Sequence, residues 1–149
     1  MLAPRETTMT DTHETTMTDR LAIEKLLNTY SLAYDSRDLE TMESCFTADA
    51  VFSMRIAGQE PVSFEGRDSI MKLMTDSMAV QTDQRRHINS NLLVSEEDGV
   101  VRTTSYLTLV ATEGDQIRLL SAGVYRNEIV EDGGALRLRR LHLDLDKAY

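Results

Sequence analysis

The sequence is poor in the features that build disulfide frameworks, metal clusters and membrane spans. It has one cysteine, Cys45, so an internal disulfide and a cysteine-rich zinc site are excluded. No apolar run approaches the roughly 18 residues that a helix needs to cross a bilayer, and the N-terminus has no apolar core of a secretory signal. These absences predict a cytoplasmic protein with no membrane partner.

Positive charge is scarce as well. The 149 residues include 16 Lys and Arg against 25 Asp and Glu, which gives a formal net charge of −9. Proteins that bind nucleic acid cluster basic side chains against the phosphates, so no nucleic-acid partner is expected. The one dense basic run, 137–140, is interrupted by Leu138 and is interpreted as the surface of a strand. The length suits a single domain with a sizeable core.

The N-terminal segment differs from the rest of the chain in composition. Its first 18 residues are polar and threonine-rich, and the hexapeptide ETTMTD at 6–11 recurs at 14–19. A segment without apolar periodicity cannot bury enough surface to fold by itself. We therefore predict a disordered leader over residues 1–18, followed by one folded domain over residues 19–149.

The folded part opens with a pattern typical of helices. Apolar residues recur at helical spacing over 19–35 and again over 38–46 and 68–80. One face of the first helix carries Ile23, Leu27, Tyr30 and Tyr34. Its opposite face carries Leu21, Asn28, Leu32 and Asp35. A helix with apolar residues on both sides is expected to pack between two layers.

Beyond Thr47 the apolar period changes to two, which is typical of strands. They are predicted over 50–56, 62–64, 85–95, 100–112, 116–130 and 135–145, with glycine-containing turns between the last four. In the last strand the apolar phase slips near Arg139 and Arg140, which predicts a β-bulge. Helices followed by an antiparallel meander predict an α+β domain, with the helices packed on one face of a bent sheet around an internal pocket.

The predicted strand 85–95 carries a row of polar residues. Alternation places His87, Asn89 and Asn91 on one face and Ile88, Ser90 and Leu92 on the other. Histidine exchanges protons near neutral pH, as general acid–base catalysis requires, and two amides share its surface. The alternative interpretation is an exposed polar face of an antiparallel strand.

Three residues of the first helix are candidates to act with His87. A carboxylate such as Asp35 could fix the tautomer of the histidine and stabilise the imidazolium, or it is a solvated acid at a helix end. Tyr30 and Tyr34 could polarise a substrate carbonyl or hold a leaving hydroxyl, or they are core residues with hydrogen-bonded tips. Because Tyr30 lies about 140° from Asp35 on an ideal helix, both reach one cavity only if it wraps around the helix end.

Sequence motifs for cofactors are missing. There is no glycine-rich phosphate loop, no Gly-x-Ser-x-Gly elbow and no Cys-x-x-Cys pair. His142 and Asp144 share a strand face, but two ligands without a third do not make a metal site. We therefore expect neither a cofactor nor a metal ion.

Six segments, taken in order, resemble the SnoaL-like family of the nuclear transport factor 2-like superfamily. They are LAIEKLL at 21–27, YDSRD at 34–38, FTADAVF at 46–52, FEGRDSI at 64–70, RHINSN at 86–91 and GVYR at 123–126. The resemblance covers essentially residues 19–145. It implies a cone-shaped α+β barrel with a deep pocket, and sheet faces that pair between subunits in a homodimer or homotrimer.

The same resemblance implies roles for individual residues. The YDSRD segment is similar to that of scytalone dehydratases, in which an aspartate supports a catalytic histidine, and the matching residues are Asp35 and His87. Bile-acid 7α-dehydratases add a tyrosine five residues before the aspartate, which selects Tyr30. Pocket residues of scytalone dehydratases fall at Met54 and Tyr106. The resemblance thus adds Met54 and Tyr106 to Tyr34 and Asn89, which the helix stripe and the polar row had selected, as the expected substrate-binding residues.

Together these residues predict a cofactor-independent lyase or isomerase of dehydratase type. His87 would abstract a proton next to an activating carbonyl, and Asp35 would orient the imidazole ring. Tyr30 or Tyr34 would donate a hydrogen bond to the carbonyl or leaving oxygen. The expected substrate is a cyclic, largely apolar small molecule, polyketide-like or steroid-like. The alternative is a non-catalytic binding or assembly protein, such as the small subunit of a ring-hydroxylating oxygenase, which the superfamily also contains.

Overall fold

The computed structural model describes residues 17–149 and contains three helices and six strands in this region. In chain order they are α1 (Met17–Ser36), α2 (Leu39–Ser44), β1 (Phe46–Ile56), β2 (Val62–Glu65), α3 (Arg67–Val80), β3 (Gln84–Glu97), β4 (Val100–Glu113), β5 (Gln116–Asp132) and β6 (Ala135–Leu145). The predicted leader lies outside the described residues except for Met17 and Thr18, which begin α1. No helix among residues 17–149 is long and apolar enough to cross a membrane.

All six strands form one mixed sheet in the order β2-β1-β6-β5-β4-β3. Strands β3 to β6 form an antiparallel meander, as the turns predicted, whereas β1 pairs in parallel with β6. The α+β class is confirmed. The sheet is open, however, because within the described region β2 and β3 are its edges, and a closed barrel would need those edges to pair.

One face of this sheet packs against the helices and forms the core. Helix α1 lies against β3 and β6, and α3 lies against β1 and β2. The buried residues along β4 alternate, and they are Thr103, Ser105, Leu107, Leu109 and Ala111. The apolar residues that α1 buries are Ile23, Leu26, Leu27, Tyr30, Ala33 and Tyr34. The sheet therefore has an inner face toward the helices and an outer face on its other side.

The second apolar face of α1 does not pack between two layers. Leu21 and Leu32 are 59% and 68% exposed, so the prediction of a helix buried on both sides is wrong. The helix packs on the sheet with one stripe, and only that stripe is buried. Asp35, which the sequence places on this same second face, is nevertheless buried, because it lies at the end of the helix against β3.

Two bulges shape the strands that carry the site. In β6, Arg139 is the extra residue opposite β5, so the predicted bulge is confirmed. In β3, Ser90 pairs with Tyr106 and Leu93 pairs with Thr104, so three steps along β3 correspond to two along β4. Asn91 at this point has a φ of 56°, in the left-handed region. The extra residue reverses the alternation of the side chains that follow it.

Candidate active site

Asp35 and His87 meet where the end of α1 packs on β3. The Oδ1 atom of Asp35 lies 2.6 Å from Nδ1 of His87, and its Oδ2 atom accepts a 2.9 Å hydrogen bond from the backbone N–H of the same histidine. An ionised carboxylate only accepts hydrogen bonds, so Nδ1 carries the hydrogen in this contact. Asp35 therefore holds both the ring and the backbone of His87, and Nε2 is the nitrogen left for proton exchange.

The end of α1 is fixed so that Asp35 faces the strand. Arg37 ends the helix with a φ of 60°, and its N–H donates to the carbonyl of Tyr34. The side-chain amide of Gln84 donates a 2.8 Å hydrogen bond to the backbone carbonyl of Asp35. This bond satisfies one of the carbonyls that a helix leaves unpaired at its end. The first residue of β3 and the last turn of α1 are thus tied directly.

The Asp35–His87 pair is buried. The side chains are 6% and 8% exposed, respectively. The helix dipole opposes a carboxylate at this end of α1, and burial of its charge costs more. The two hydrogen bonds from His87 offset these costs, and in the apolar interior they are stronger than they would be in water. Removal of either side chain leaves the other buried without its partner, so we treat the two residues as one unit.

The ring of Tyr34 packs against the ring of His87 and forms one wall of the site. Its ring centroid lies 4.7 Å from that of His87, with an angle of 61° between the ring planes. An edge contact of this kind holds the imidazole in one orientation. Burial raises the pKa of the Tyr34 phenol, and the guanidinium of Arg85 partly opposes this shift. The phenol is therefore a neutral hydrogen-bond donor at neutral pH.

A groove of about 340 Å³ opens beyond this wall, between the start of β3, the start of β5 and residues 147–149. Arg85 connects the groove to the interior. Its guanidinium lies beside Tyr34 and stands 4.9 Å from the centre of the Tyr149 ring. A volume of this size falls within the range of small-molecule sites. Arg85 is two residues before His87 on the same face of β3, so this end of the groove lies about 7 Å along the strand from the histidine.

Tyr30, one helical turn before Tyr34, lines a small interior cavity. The cavity has a volume of about 10 Å³, which is room for about one water-sized group. Its other lining residues are Leu27, Asn89, Ser105, Tyr125, Asn127 and Leu141. Burial raises the pKa of the phenols of Tyr30 and Tyr125, so both keep their protons. An edge contact with Phe46, at 5.6 Å between centroids, fixes the Tyr30 ring.

The interior brings together five of the seven residues that the sequence selected. They are Tyr30, Tyr34, Asp35, His87 and Asn89. The angle between Tyr30 and Asp35 is accommodated because Asp35 reaches β3 around the helix end. Asn89 donates a 2.7 Å hydrogen bond from Nδ2 to the hydroxyl of Ser31. Met54 packs against the core from β1, which three strands separate from β3, and its role stays a prediction.

Tyr106 does not line the interior. Its neighbours Ser105 and Leu107 belong to the buried inner row of β4. Alternation sends Tyr106 to the outer face of the sheet, where it is 53% exposed. The expectation that it binds substrate in the same pocket as His87 is therefore wrong.

The bulge in β3 also changes the predicted polar row. His87 and Asn89 face the interior, as predicted, but Asn91 is exposed and Leu92 packs against the core. The prediction had placed Asn91 with His87 and Leu92 opposite. It is wrong because the extra residue shifts the alternation by one position.

Three residues that the sequence reasoning missed face the small cavity, namely Ser105, Tyr125 and Asn127. A signal for them existed in the long strands. Asn127 lies between Tyr125 and Ile129 in the inner row of β5, where most other positions are apolar. A polar side chain in such a row needs a partner inside the protein, so its position alone marks the interior as a place where polar groups meet.

A second histidine–aspartate contact lies on the outer face. Nε2 of His142 lies 3.1 Å from Oδ1 of Asp144, and its Nδ1 lies 2.6 Å from the Ser53 hydroxyl. Arg55 and Arg126 also pair with Asp144. Burial raises the pKa of Asp144, but its hydrogen bond to His142 and the nearby positive charges lower that pKa overall. Among residues 17–149, no three His, Cys, Asp or Glu side chains are grouped to hold a metal ion.

Comparison with known proteins gives a family and a fold. A family model described as the SnoaL-like domain matches residues 15–142. No curated protein matches the chain significantly. Aln2 from a Streptomyces species is 22% identical, with a TM-score of 0.77 over 87% of this chain and 91% of that one.

Two further solved structures share the fold. One is the beta subunit of a putative aromatic-ring-hydroxylating dioxygenase from Novosphingobium aromaticivorans DSM 12444, 18% identical, with a TM-score of 0.76 over 89% of this chain and 92% of that one. The other is a Catenulispora acidiphila protein in complex with S-DNPA, 21% identical, with a TM-score of 0.76 over 87% and 95%. At these identities the likeness shows the fold alone.

Proposed function

The chain belongs to the SnoaL-like domain family, and from this premise we propose that it is a cofactor-independent lyase or isomerase of a cyclic, largely apolar small molecule. The observation that carries the proposal is the hold of Asp35 on His87. Both carboxylate oxygens bind one buried histidine, through its ring and through its backbone. A purely structural ion pair does not need this arrangement, whereas a general base needs its tautomer fixed.

His87 is the proposed base. Its Nε2 removes a proton from a carbon next to a carbonyl, the C–H bond breaks, and the electron pair moves into an enolate. The imidazolium formed in this step lies against Asp35, whose charge stabilises it. The proton then goes from Nε2 to a hydroxyl on the next carbon, the enolate electron pair forms a C=C bond as the C–O bond breaks, and water departs. If the proton goes to another carbon instead, the double bond moves. Dehydration is the proposed main outcome, and isomerisation or cyclisation would use the same groups.

Tyr30 is the proposed hydrogen-bond donor to the substrate oxygen. Burial keeps its phenol protonated, and a neutral donor aimed at developing oxyanion charge lowers the barrier to enolate formation. Tyr34 limits the rotation of the His87 ring and contributes to the substrate site. Asn89 and Met54 are the remaining proposed contacts to substrate, one through its amide and the other through its apolar side chain.

The size of the site constrains how substrate reaches it. Small-molecule sites usually occupy about 300 Å³ or more, and the cavity beside Tyr30 holds about 10 Å³. The groove by Arg85 and Tyr149 has about 340 Å³. We therefore place the entry at this groove, from which substrate passes Tyr34 and reaches His87. The interior has to widen as it binds, and Met74 and Met78, buried on α3, have side chains flexible enough to repack.

The test begins with the ligand that the protein retains. Native mass spectrometry of the purified protein should show a bound small molecule, which gentle denaturation releases for identification. The isolated protein should then convert that molecule or its hydrated precursor without any added cofactor. If no candidate is turned over by the isolated protein, the proposed function fails.

A binding subunit is the rival function. The observation that favours it is the similarity in fold to a dioxygenase beta subunit, at a TM-score of 0.76. In that case the chain should co-purify with a larger oxygenase subunit when the two are expressed together. Substitution of His87 should then leave the activity of the assembled oxygenase unchanged, whereas our proposal expects turnover by this chain alone.

A further inference from the structure

Three buried oxygen atoms on the inner face of the sheet have no hydrogen-bond partner among the described residues. They are Oδ1 of Asn89, Oγ1 of Thr103 and Oδ1 of Asn127. Thr103 and Asn127 are directly paired across β4 and β5, and Asn89 and Asn127 line the same cavity. Buried polar atoms are nearly always paired in native proteins. Two of these atoms belong to residues that line one cavity, and the third belongs to the residue paired with Asn127 on the neighbouring strand, which indicates that something polar belongs in the cavity.

From these unpaired atoms we infer that the cavity is a subsite for one neutral hydroxyl group of the substrate. The inference rests on the proposed function in one respect, since it takes the interior as the substrate site. The volume of about 10 Å³ fits one oxygen-sized group and no larger polar substituent. The subsite would fix the end of the substrate that lies away from the reacting carbon.

The lining explains why the group is neutral. None of the seven residues around the cavity carries a charge. Burial raises the pKa of Tyr30 and Tyr125, so these phenols stay neutral as well. An ammonium or carboxylate transferred into such a site would lose its hydration without a counter-charge, which is far costlier than burying a hydroxyl.

A hydroxyl also matches the two amides chemically. It donates one hydrogen bond and accepts others, so it can pair with the carbonyl oxygen of one asparagine and with a neighbouring donor. Ser105 and Tyr125 supply that donor, because the phenol of Tyr30 is assigned to the oxygen at the reacting carbon. A methyl group or a ring carbon at the same place would leave the Asn127 oxygen unpaired, and an unpaired buried acceptor weakens binding about tenfold or more.

The distance from the subsite to the Asp35–His87 pair indicates how far apart the hydroxyl and the reacting carbon lie on the substrate. Asn89 follows His87 by two residues on the same face of β3, which is about 7 Å along the strand. On α1, Tyr30 precedes Tyr34 by one turn, about 5 Å along the helix. Both elements therefore separate the cavity from the Asp35–His87 pair by a similar distance. The hydroxyl should lie on the far side of a ring skeleton from the carbon that loses its proton.

The test uses two probes that differ in one group, 2-naphthol and 2-methylnaphthalene. Calorimetric titration of the natural chain should show 2-naphthol binding at least about tenfold more tightly. Asn127→Ala should reduce this ratio to near one by weakening 2-naphthol and leaving 2-methylnaphthalene unchanged. Asn127→Ser, which keeps a hydroxyl in the site, should restore part of the preference. Asn28→Ala, an exposed asparagine of α1, is the matched control and should keep the full ratio.

The same titrations separate this inference from the proposed function. His87→Ala should retain the preference for 2-naphthol while it removes turnover. A preference that survives Asn127→Ala overturns the subsite, as does equal binding of the two probes by the natural chain. Failure of both probes to bind at millimolar concentration overturns it too, because the cavity then does not receive a ring substituent. If the natural chain prefers 2-naphthol but turns over no candidate substrate, the subsite is supported and the catalytic proposal is refuted.

Discussion

The two faces of the sheet carry the same pair of residue types in different surroundings. On the inner face, Asp35 holds His87 through two hydrogen bonds, and both side chains are almost fully buried. On the outer face, Asp144 shares its charge among His142 and two arginines, and the histidine is 26% exposed. Spacing in the sequence cannot separate these cases, since each histidine lies in an alternating strand.

The two faces differ in how many ring nitrogens of the histidine have a hydrogen-bond partner. On the outer face, both ring nitrogens of His142 have partners, Ser53 and Asp144, so neither is left for a reaction. On the inner face, Asp35 binds Nδ1 and the backbone N–H of His87, and no hydrogen bond joins Nε2 to another of residues 17–149. A histidine prepared for proton transfer needs one nitrogen held and one available. The inner pair meets this requirement and the outer pair does not.

The largest expected effect is on turnover. His87→Ala and Asp35→Asn should each lower kcat/KM by about 10²-fold or more, the range that loss of a general base usually gives. His142→Ala, the matched control from the outer face, should change it less than about threefold. The double variant should be little worse than the worse single one, because residues that act as a unit are not additive. Equal losses at His87 and His142 would remove the distinction between the two faces.

Stability should separate the faces in the same direction. Asp35→Ala leaves His87 buried without its acceptor and should cost about 3 kcal/mol in the free energy of unfolding, as for a broken buried pair. Asp144→Ala frees partly exposed arginines that water can solvate, so its cost should be under about 1 kcal/mol. Urea denaturation of both variants against the natural chain measures the two values. A larger loss for Asp144→Ala would contradict the comparison.

The third test concerns the oligomeric state, because association of subunits through their outer faces would bury those faces. The outer face exposes apolar side chains, among them Ile88, Leu93 and Tyr106. We predict that these faces pair in a homodimer or homotrimer, which would bury His142 as well. Light scattering should give a multiple of 16.8 kDa, and Tyr106→Lys should shift the mass toward the single chain. A mass near that of one chain for the natural protein at micromolar concentration would rule the prediction out.

High pH should act on the inner face first. Burial raises the pKa of Tyr30 and Tyr125 above their ordinary value of 10.0. The unfolded chain ionises these phenols before the folded one does, so stability is complete below about pH 10 and is lost as the pH rises further. Burial raises the pKa of Tyr34 as well, so tyrosinate absorbance and far-ultraviolet circular dichroism should change together for three of the five tyrosines. Full ionisation of all five in a chain that is still folded would show that the interior is wet.

Much of this fold was predictable, and the exceptions have local causes. The order of elements follows from apolar periods, and the sequence alone selects Asp35 and His87 as one pair. Tyr106 was misplaced because resemblance selected it, although the apolar phase of Leu107 and Leu109 already assigns it to the opposite face. The inner position of Leu92 depends on an extra residue in β3 that only the register with β4 reveals.

The sequence also could not predict which buried amide side chains lie beside each other. Asn127 is 38 residues from Asn89, and nothing in either local pattern indicates that they line one cavity. Their meeting depends on the register of three neighbouring strands and on the turn of α1 that presents Tyr30. Long-range pairing of this kind is set by the packed structure as a whole, whereas helix faces and strand phases are set within a few residues.

The smallest expected effect concerns residues 1–16, which lie outside the residues that the structure describes. They are polar and threonine-rich, and a segment of this composition has little apolar surface to bury. Their deletion should therefore leave Tm nearly unchanged and should not alter the ratio of turnover between His87→Ala and His142→Ala. Differential scanning calorimetry of the full and shortened chains measures the first quantity. A fall in Tm of more than about 5 °C, equivalent to about 1 kcal/mol in a domain somewhat smaller than this one, would show that this segment docks on the domain. The outer face, with its exposed Ile88 and Tyr106, would then be the surface to test, by asking whether Tyr106→Lys produces the same fall in Tm as the deletion.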